Sequence, residues 1–270
     1  MLPLTSWPLA QRRNIVGVFT DIDDTLTTEG AITPDALQAL HDLKAAGLHV
    51  IPITGRPIGW SEPFAAALPV DAIVAENGSV ALFNSINGQK PLWDVRKQLS
   101  ESYQEDAVQR EENFSRMQKV LARIERDVQG AQRSTDSKTR ETDIAIDHSE
   151  HTNLHPDHIA HVVQIMQSEG MNATVSSIHI NGWIGAHNKL QGAHWILREL
   201  WGRDLDAEID RWAFIGDSTN DELMFEAFAH SVGVANIARF APDLQNKPRY
   251  VTLAERGAGF AEFTRYLLAK

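Results

Sequence analysis

Apolar runs of strand length alternate along this chain with amphipathic stretches of helix length, and the polar residues gather where the runs end. Ile15 to Phe19 is unbroken by polar residues and stops at Thr20-Asp21-Ile22-Asp23-Asp24. A run of that kind suits a strand covered on both faces, as in a parallel sheet. Residues 28–32 are short and turn-like. Thr33-Pro34 then reads as an N-cap with proline at the first helical position, Leu37, Leu40 and Leu43 form the apolar stripe, and Gly47 ends the helix. Two further buried strands are expected at 48–53 and 72–75, ending in Thr54-Gly55-Arg56-Pro57 and Glu76-Asn77-Gly78.

The texture changes near Asn84. Residues 94–126 are highly charged, with a helical face of Phe114, Met117, Leu121, Ile124 and Val128. A polar loop (130–138), a strand (142–146), a helix (156–168) closed by Gly170 and another strand (173–180) follow. The first texture then returns. A helix over 190–201 has Lys189 at its start and Leu190, Ala193, Leu197 and Leu200 inward. A buried strand at 212–215 ends in Gly216-Asp217-Ser218-Thr219-Asn220-Asp221. A helix (222–229), a strand (231–235), an edge strand (250–253) and a last helix (260–268) complete the chain, with no internal repeat. The pattern predicts an α/β protein: a doubly wound parallel sheet from residues 1–83 and 188–270, interrupted by an α+β unit over 84–187.

Composition narrows the function. At 270 residues there is ample length for a buried core, and 43% hydrophobic with 23% charged residues is ordinary for a soluble protein. A net charge of −11 argues against a surface made for nucleic acid or an anionic membrane. It leaves room for an anionic small substrate, because a metal reverses the local sign inside a cleft. The absence of cysteine excludes thiol catalysis and thiolate metal sites and fits a cytoplasmic setting. Residues 1–14 read as neither a signal peptide nor a membrane span. Oligomeric state is not readable.

In open parallel sheets ligands bind beyond the carboxyl ends of the strands, so Asp21 and Asp23 belong at the mouth of a site. Two neighbouring carboxylates call for a cation or a shared proton, and a hard divalent ion with oxygen ligands satisfies them. Thr54, Lys189 and the Asp217/Asp221 pair stand at other element ends. A phosphate monoester needs its charge neutralised, its oxygens held, an in-line attack and a protonated leaving oxygen. The hydroxyl, the ammonium and the carboxylates supply those parts.

In this order the motifs resemble those of the haloacid dehalogenase superfamily, whose phosphatases share a Rossmann-like core. The resemblance implies Asp21 as nucleophile and Asp23 as general acid and base. It implies Thr54, Gly55, Lys189 and Asn220 around the phosphate, and Mg2+ on Asp21, Asp217, the main-chain carbonyl of Asp23 and, directly or through water, Asp221. The acid at Asp23 favours phosphate transfer over dehalogenation. An insert between the third strand and Lys189 is similar to the large α+β cap of the Cof-like and sucrose-phosphatase branches, whose substrates are small phosphorylated metabolites, mostly sugar phosphates. A phosphomutase and a catalytically silent binding module are the competing readings.

Five residues are candidates for substrate contact: Arg56, Asn77, Arg140, His179 and Asn181. All but Asn77 have a plain alternative. Arg56 suits a structural ion pair and Arg140 a solvated loop charge, while His179 and Asn181 suit sheet packing. His148, His151, His155, His158 and His161 lack the spacing of a tetrahedral metal set and read as an exposed histidine-rich face.

Overall fold

Alternation along each central strand sends Val18, Val50 and Ile73 to one face and Phe19, Ile51 and Val74 to the other, and all six are fully buried. Such strands need helices on both sides. The computed structural model, which describes residues 1–84 and 99–269, provides them. Pro34–Ala45, Ile58–Ala67 and Arg256–Leu268 cover the first face; Lys189–Trp201 and Glu222–Ala227 cover the second. The strands form one all-parallel sheet in the order Leu2–Pro3, Tyr250–Val251, His230–Gly233, Trp212–Gly216, Gly17–Thr20 and His49–Pro52. A parallel bridge between Ile53 and Val74 carries it on to Ala72–Ala75, which pairs with Val80–Asn84, itself paired with Leu99–Tyr103. The architecture is the expected doubly wound α/β core.

A second sheet is antiparallel, in the order Asn172–Val175, His179–Trp183, Ile144–Asp147 and Gln132–Arg133. Helices Ala107–Asp127 and Pro156–Ser168 bury Met117, Leu121, Ile124, Val162 and Met166 against it. This is the α+β unit of the cap. No helix among the described residues is long and apolar enough to cross a membrane.

Several expectations need correction. Part of the helix expected over 94–126 lies outside the described residues (94–98), and Leu99–Tyr103 is a strand, half-buried on the hairpin edge. The helix starts only after Asp106, whose carboxylate accepts the N–H groups of Val108 and Gln109. The strand expected over 173–180 is a hairpin, because the Ser176 hydroxyl accepts the N–H groups of Ile178 and His179 and turns the chain there. The polar stretch 130–138 holds the short strand Gln132–Arg133 and a 3-10 turn at Ser137–Thr139. Tyr250–Val251 is not an edge strand, since Leu2–Pro3 pairs outside it. Leu37 is 37% exposed, and Ala36 and Ala39 join Leu40 and Leu43 on the inner face instead. Thr33 takes the N-cap position, but its side chain makes no capping bond. The helix Ile58–Ala67 was not foreseen; Pro57 before it and Pro63 inside it hide its period.

One close approach positions the future site. Gly78, at φ +108°, lies so near the start of Lys189–Trp201 that an added Cβ would stand 2.2 Å from the Asn188 carbonyl oxygen. A Cβ on Gly192 would stand 2.7 Å from the Gly78 Cα. The two glycines let the helix that begins at Lys189 rest directly on the backbone after the third strand. Gly78→Ala should therefore destabilise the protein by about 3 kcal/mol, read as a lower urea midpoint at unchanged m-value. An unchanged midpoint would show that the contact does not seat the helix.

Candidate active site

Register sets the strand ends level. Thr20 pairs with Pro52 on one side and Ile215 on the other, so Asp21, Thr54 and Asp217 leave the sheet together. The Asp21 N–H donates to the Ile215 carbonyl (2.9 Å), and the Thr54 N–H to the Val74 carbonyl (2.9 Å). Lys189 arrives from the facing helix, whose N-cap Asn188 accepts the Gln191 N–H. Its ammonium lies 2.9 Å from Asp21 Oδ1 and 2.7 Å from Asp221 Oδ1. The other Asp221 oxygen accepts the N–H groups of Asp217 (3.0 Å) and Ser218 (3.3 Å). Only glycine fits at 216, where a Cβ would meet that carboxylate at 2.4 Å. Asp217 accepts from the Asn236 amide at 3.1 Å and from the Thr25 hydroxyl at 3.5 Å.

Asp21, Asp217 and Asp221 are each at most 4% exposed, and one oxygen from each lies within 4.8 Å of the others. Burial raises the Asp21 pKa to about 7; Lys189 opposes the rise, and Asp221 and Asp23 add repulsion. Burial, with Asp21 and Asp221 as neighbours, lifts Asp217 well above the usual carboxylate range. For Lys189 burial works downward, but the attraction of Asp21 and Asp221 outweighs it and the ammonium is held charged. One ammonium does not neutralise three buried carboxylates. The surplus negative charge and the all-oxygen donor set fit a hard divalent cation such as Mg2+.

Asp23 is turned to a different cation. The Arg56 guanidinium grips it through Nε (3.0 Å) and Nη2 (2.9 Å) and is itself stacked on Trp60 at 4.7 Å. Asp21 and Asp23 nevertheless border the same small space, together with Gly55, Arg56, His179, Asn181 and Asn220. That space is about 10 Å³, room for roughly one water.

The roof comes from the cap. Arg56 also reaches Glu150 at 2.7 Å and Asp136 at 3.4 Å, and Glu150 is 2.9 Å from His179 Nε2. Burial would raise the Glu150 pKa, yet His179 and Arg56 pull it down to about 2. Arg140 is 3% exposed and pairs with Asp143 (2.7 Å) and Asp136 (3.0 Å) while donating to the Gly55 carbonyl (3.0 Å). The solvated-charge alternative for Arg140 is therefore wrong. Asn181 donates to the same Gly55 carbonyl at 3.2 Å, and Asn77, at φ +56°, donates to Asp143 at 3.0 Å. His179 and Asn181 thus face the core, and Arg56 is an ion-pair hub. Thr54 is fully buried, and its hydroxyl accepts the Arg56 N–H at 3.0 Å. Asn220 accepts the Ser218 hydroxyl at 2.8 Å.

Sequence reasoning missed Glu150 and Asp136 as site residues, and also the fully buried Glu76. The Glu76 carboxylate accepts the N–H groups of Ile58, Glu141 and Thr142. Each pairs across more than sixty positions or inside a charged loop, where no spacing announces it. Of the five histidines, His148 is buried, its Nε2 at 2.9 Å from the Ser176 carbonyl, while His151, His155 and His161 are exposed. Among the described residues, none of the five joins a three-residue group close enough to hold a metal.

The family model of the haloacid dehalogenase-like hydrolases matches residues 18–263. The chain belongs to that family. No curated protein sequence matches it. Among solved structures, the haloacid dehalogenase-like chain is similar to a Thermoplasma acidophilum protein (17% identity, TM-score 0.67), with 94% of this chain and 98% of that one covered. It is also similar to the sucrose-phosphatase from Synechocystis in complex with sucrose and phosphate (16%, 0.64; 94% and 99% covered). A third is the C-terminal domain of C. albicans trehalose-6-phosphate phosphatase (13%, 0.65; 99% and 98% covered). At these identities the likeness is one of fold, and it extends through the cap.

The raised Asp21 pKa has a testable sign in the metal-free protein. Between about 4 and 7 the folded state keeps a proton that the unfolded chain has lost, so this contribution is full at low pH and fades as pH rises through 7. Asp21→Asn should raise the melting temperature over wild type by more at about pH 8 than at about pH 5, and added Mg2+ should shrink the difference. An increment independent of pH would contradict the charge crowding.

Proposed function

We propose that this hydrolase is a Mg2+-dependent phosphatase that releases phosphate from a small phosphorylated metabolite, a sugar phosphate, through an aspartyl-phosphate on Asp21. The observation that carries the reading is the Lys189 ammonium held between Asp21 and Asp221, with Asp217 and Thr54 at the neighbouring strand ends. The phosphatase names of two structural neighbours support it.

In this reading residues 1–83 and 188–270 form the catalytic core and 84–187 the cap that selects the substrate. Asp21, Asp217 and the Asp23 carbonyl, with Asp221 alongside, would hold Mg2+, which when bound would supply the charge that lets a carboxylate approach a phosphate dianion. Lys189, the Thr54 hydroxyl and the Gly55 backbone hold the phosphoryl oxygens, and Asn220 buttresses them. A carboxylate oxygen of Asp21 attacks phosphorus, and the bond to the leaving oxygen breaks as Asp23 gives that oxygen a proton. Asp23 then takes a proton from the water that attacks the acyl phosphate, which frees phosphate and restores Asp21. Arg56 orients the Asp23 carboxylate that takes up this second proton and ties its orientation to Glu150 of the cap. The cap-closed crevice excludes bulk water from the acyl phosphate. The lack of cysteine agrees with a cytoplasmic setting.

Purified protein with Mg2+ should release phosphate from p-nitrophenyl phosphate and faster from some member of a sugar phosphate panel, and chelation should stop both. Asp21→Asn should lose at least about 10³-fold in kcat while folding normally. Lys189→Ala should lose about 10²- to 10³-fold in kcat/KM. Formation of hexose 6-phosphate from the 1-phosphate, in place of free phosphate, would establish the phosphomutase instead. Full activity in Asp21→Asn would remove the nucleophile assignment.

A further inference from the structure

A second charged group borders Asp217. It is built on Asp24, whose backbone is left-handed at φ +54°, and on the 3-10 turn Ala235–Arg239 that follows the strand His230–Gly233. The Asn236 amide donates to the Asp24 carbonyl (3.0 Å) and to Asp217 Oδ2 (3.1 Å), and its Oδ1 accepts the Arg256 N–H (2.9 Å). The Asp24 carboxylate carries two guanidinium groups, Arg239 at 3.1 Å on one oxygen and Arg256 at 3.1 Å on the other.

Arg239 has a further partner. The Nη2 that donates to Asp24 Oδ2 lies 3.6 Å from Asp217 Oδ2. Two cations therefore meet the acid cluster, Lys189 on Asp21 and Asp221, and Arg239 on Asp217. Their settings differ: the Lys189 side chain is 2% exposed and that of Arg239 is 44% exposed. The buried ammonium is a fixed part of the site. The guanidinium, stacked on Phe240 at 4.7 Å and shared with Asp24, neutralises Asp217 only in part, and water and salt screen it.

Asp217 Oδ2 is thus committed to Asn236 and Arg239, while Oδ1 meets the Thr25 hydroxyl at 3.5 Å, a long bond that leaves it the better ligand atom. Two positive charges on one carboxylate repel each other, so a divalent cation is held less tightly with Arg239 in place than without it. Asp24 moderates the effect by sharing the guanidinium.

We propose that Arg239 sets the affinity of this site for its divalent cation: it balances Asp217 in the metal-free protein, weakens the hold on Mg2+, and is restrained by Asp24. The inference rests on the Mg2+ reading of Asp21, Asp217 and Asp221. Arg239 acts through Asp217 and is not a catalytic residue.

Calorimetric titration of the metal-free protein with MgCl2 tests it without turnover. At low salt Arg239→Gln should bind Mg2+ about 3- to 10-fold more tightly than wild type, the size expected of a half-exposed charge. Arg239→Lys keeps the charge and should stay closer to wild type than to Arg239→Gln. Asp24→Asn leaves the left-handed backbone accessible but gives Arg239 up to Asp217, and should bind more weakly. The advantage of Arg239→Gln should shrink as KCl rises from about 0.02 to about 0.5 M, which a purely structural effect would not do. Without metal Arg239→Gln should melt below wild type, and its rise on saturation with Mg2+ should be the larger. Equal affinities in wild type and Arg239→Gln, or weaker binding in Arg239→Gln, would overturn the assignment and leave the Mg2+ reading standing. Heat that persists in Asp217→Asn, or no heat from wild type and Arg239→Gln alike, would reject the Mg2+ reading and the inference with it.

Discussion

Lys189 holds Asp21 and Asp221 against their mutual repulsion where all three are nearly buried, and much of the core is arranged to make that contact. Two parallel strands must end level to present Asp21 and Asp217 side by side. Gly216 must lack a side chain for Asp221 to fold back over the strand end, and Gly78 and Gly192 must do so for the lysine's helix to come close. A buried ion pair with one partner missing is far worse than none. The carboxylates outnumber the ammonium, and burial together with their mutual repulsion raises the pKa of Asp21 and Asp217, a surplus of negative charge compatible with a bound cation.

A second chain of charges leads away from that point. Arg56 joins Asp23 to Glu150 and Asp136, Glu150 joins His179, and Arg140 joins Asp136 and Asp143 to the carbonyl of Gly55. Core and cap are thus fastened by directional bonds as well as by packing. Each pair is buried or nearly so, where desolvation offsets much of the Coulomb gain. Their contribution is geometric: these bonds together set the cap against the core, and the Arg56 guanidinium orients Asp23.

What the chain discloses before folding follows from how local each signal is. Strands whose faces are both buried announce themselves as unbroken apolar runs, and an abrupt acid or hydroxyl at the end marks the mouth of a site; Asp21, Thr54 and Asp217 were readable for that reason. Lys189 was readable because it opens an amphipathic helix. The cap was harder. Leu99–Tyr103 alternates weakly within a charged stretch, so a strand passed for the start of a helix. Ser176 and Ser177 turn the chain inside an otherwise strand-like run. Arg140 looks like surface until Asp136, Asp143 and Gly55 close around it, and Glu150 meets Arg56 only through the tertiary fold. Residues that act across the two units carry no period, and only coordinates bring them together.

The short passage from Trp183 to Lys189 joins the last strand of the cap to the helix that carries the buried lysine. The last cap strand ends at Trp183, its indole donates to the His187 carbonyl at 2.8 Å, and one residue on from Asn188 the ammonium meets Asp21. Grafting a foreign lid onto this scaffold by splicing at the sheet's end would sever that tether and leave the lysine's cap behind. A chimera that keeps residues 184–188 with the lid, and joins the recipient after Asn188, would carry over the lid together with its connection to the lysine's helix.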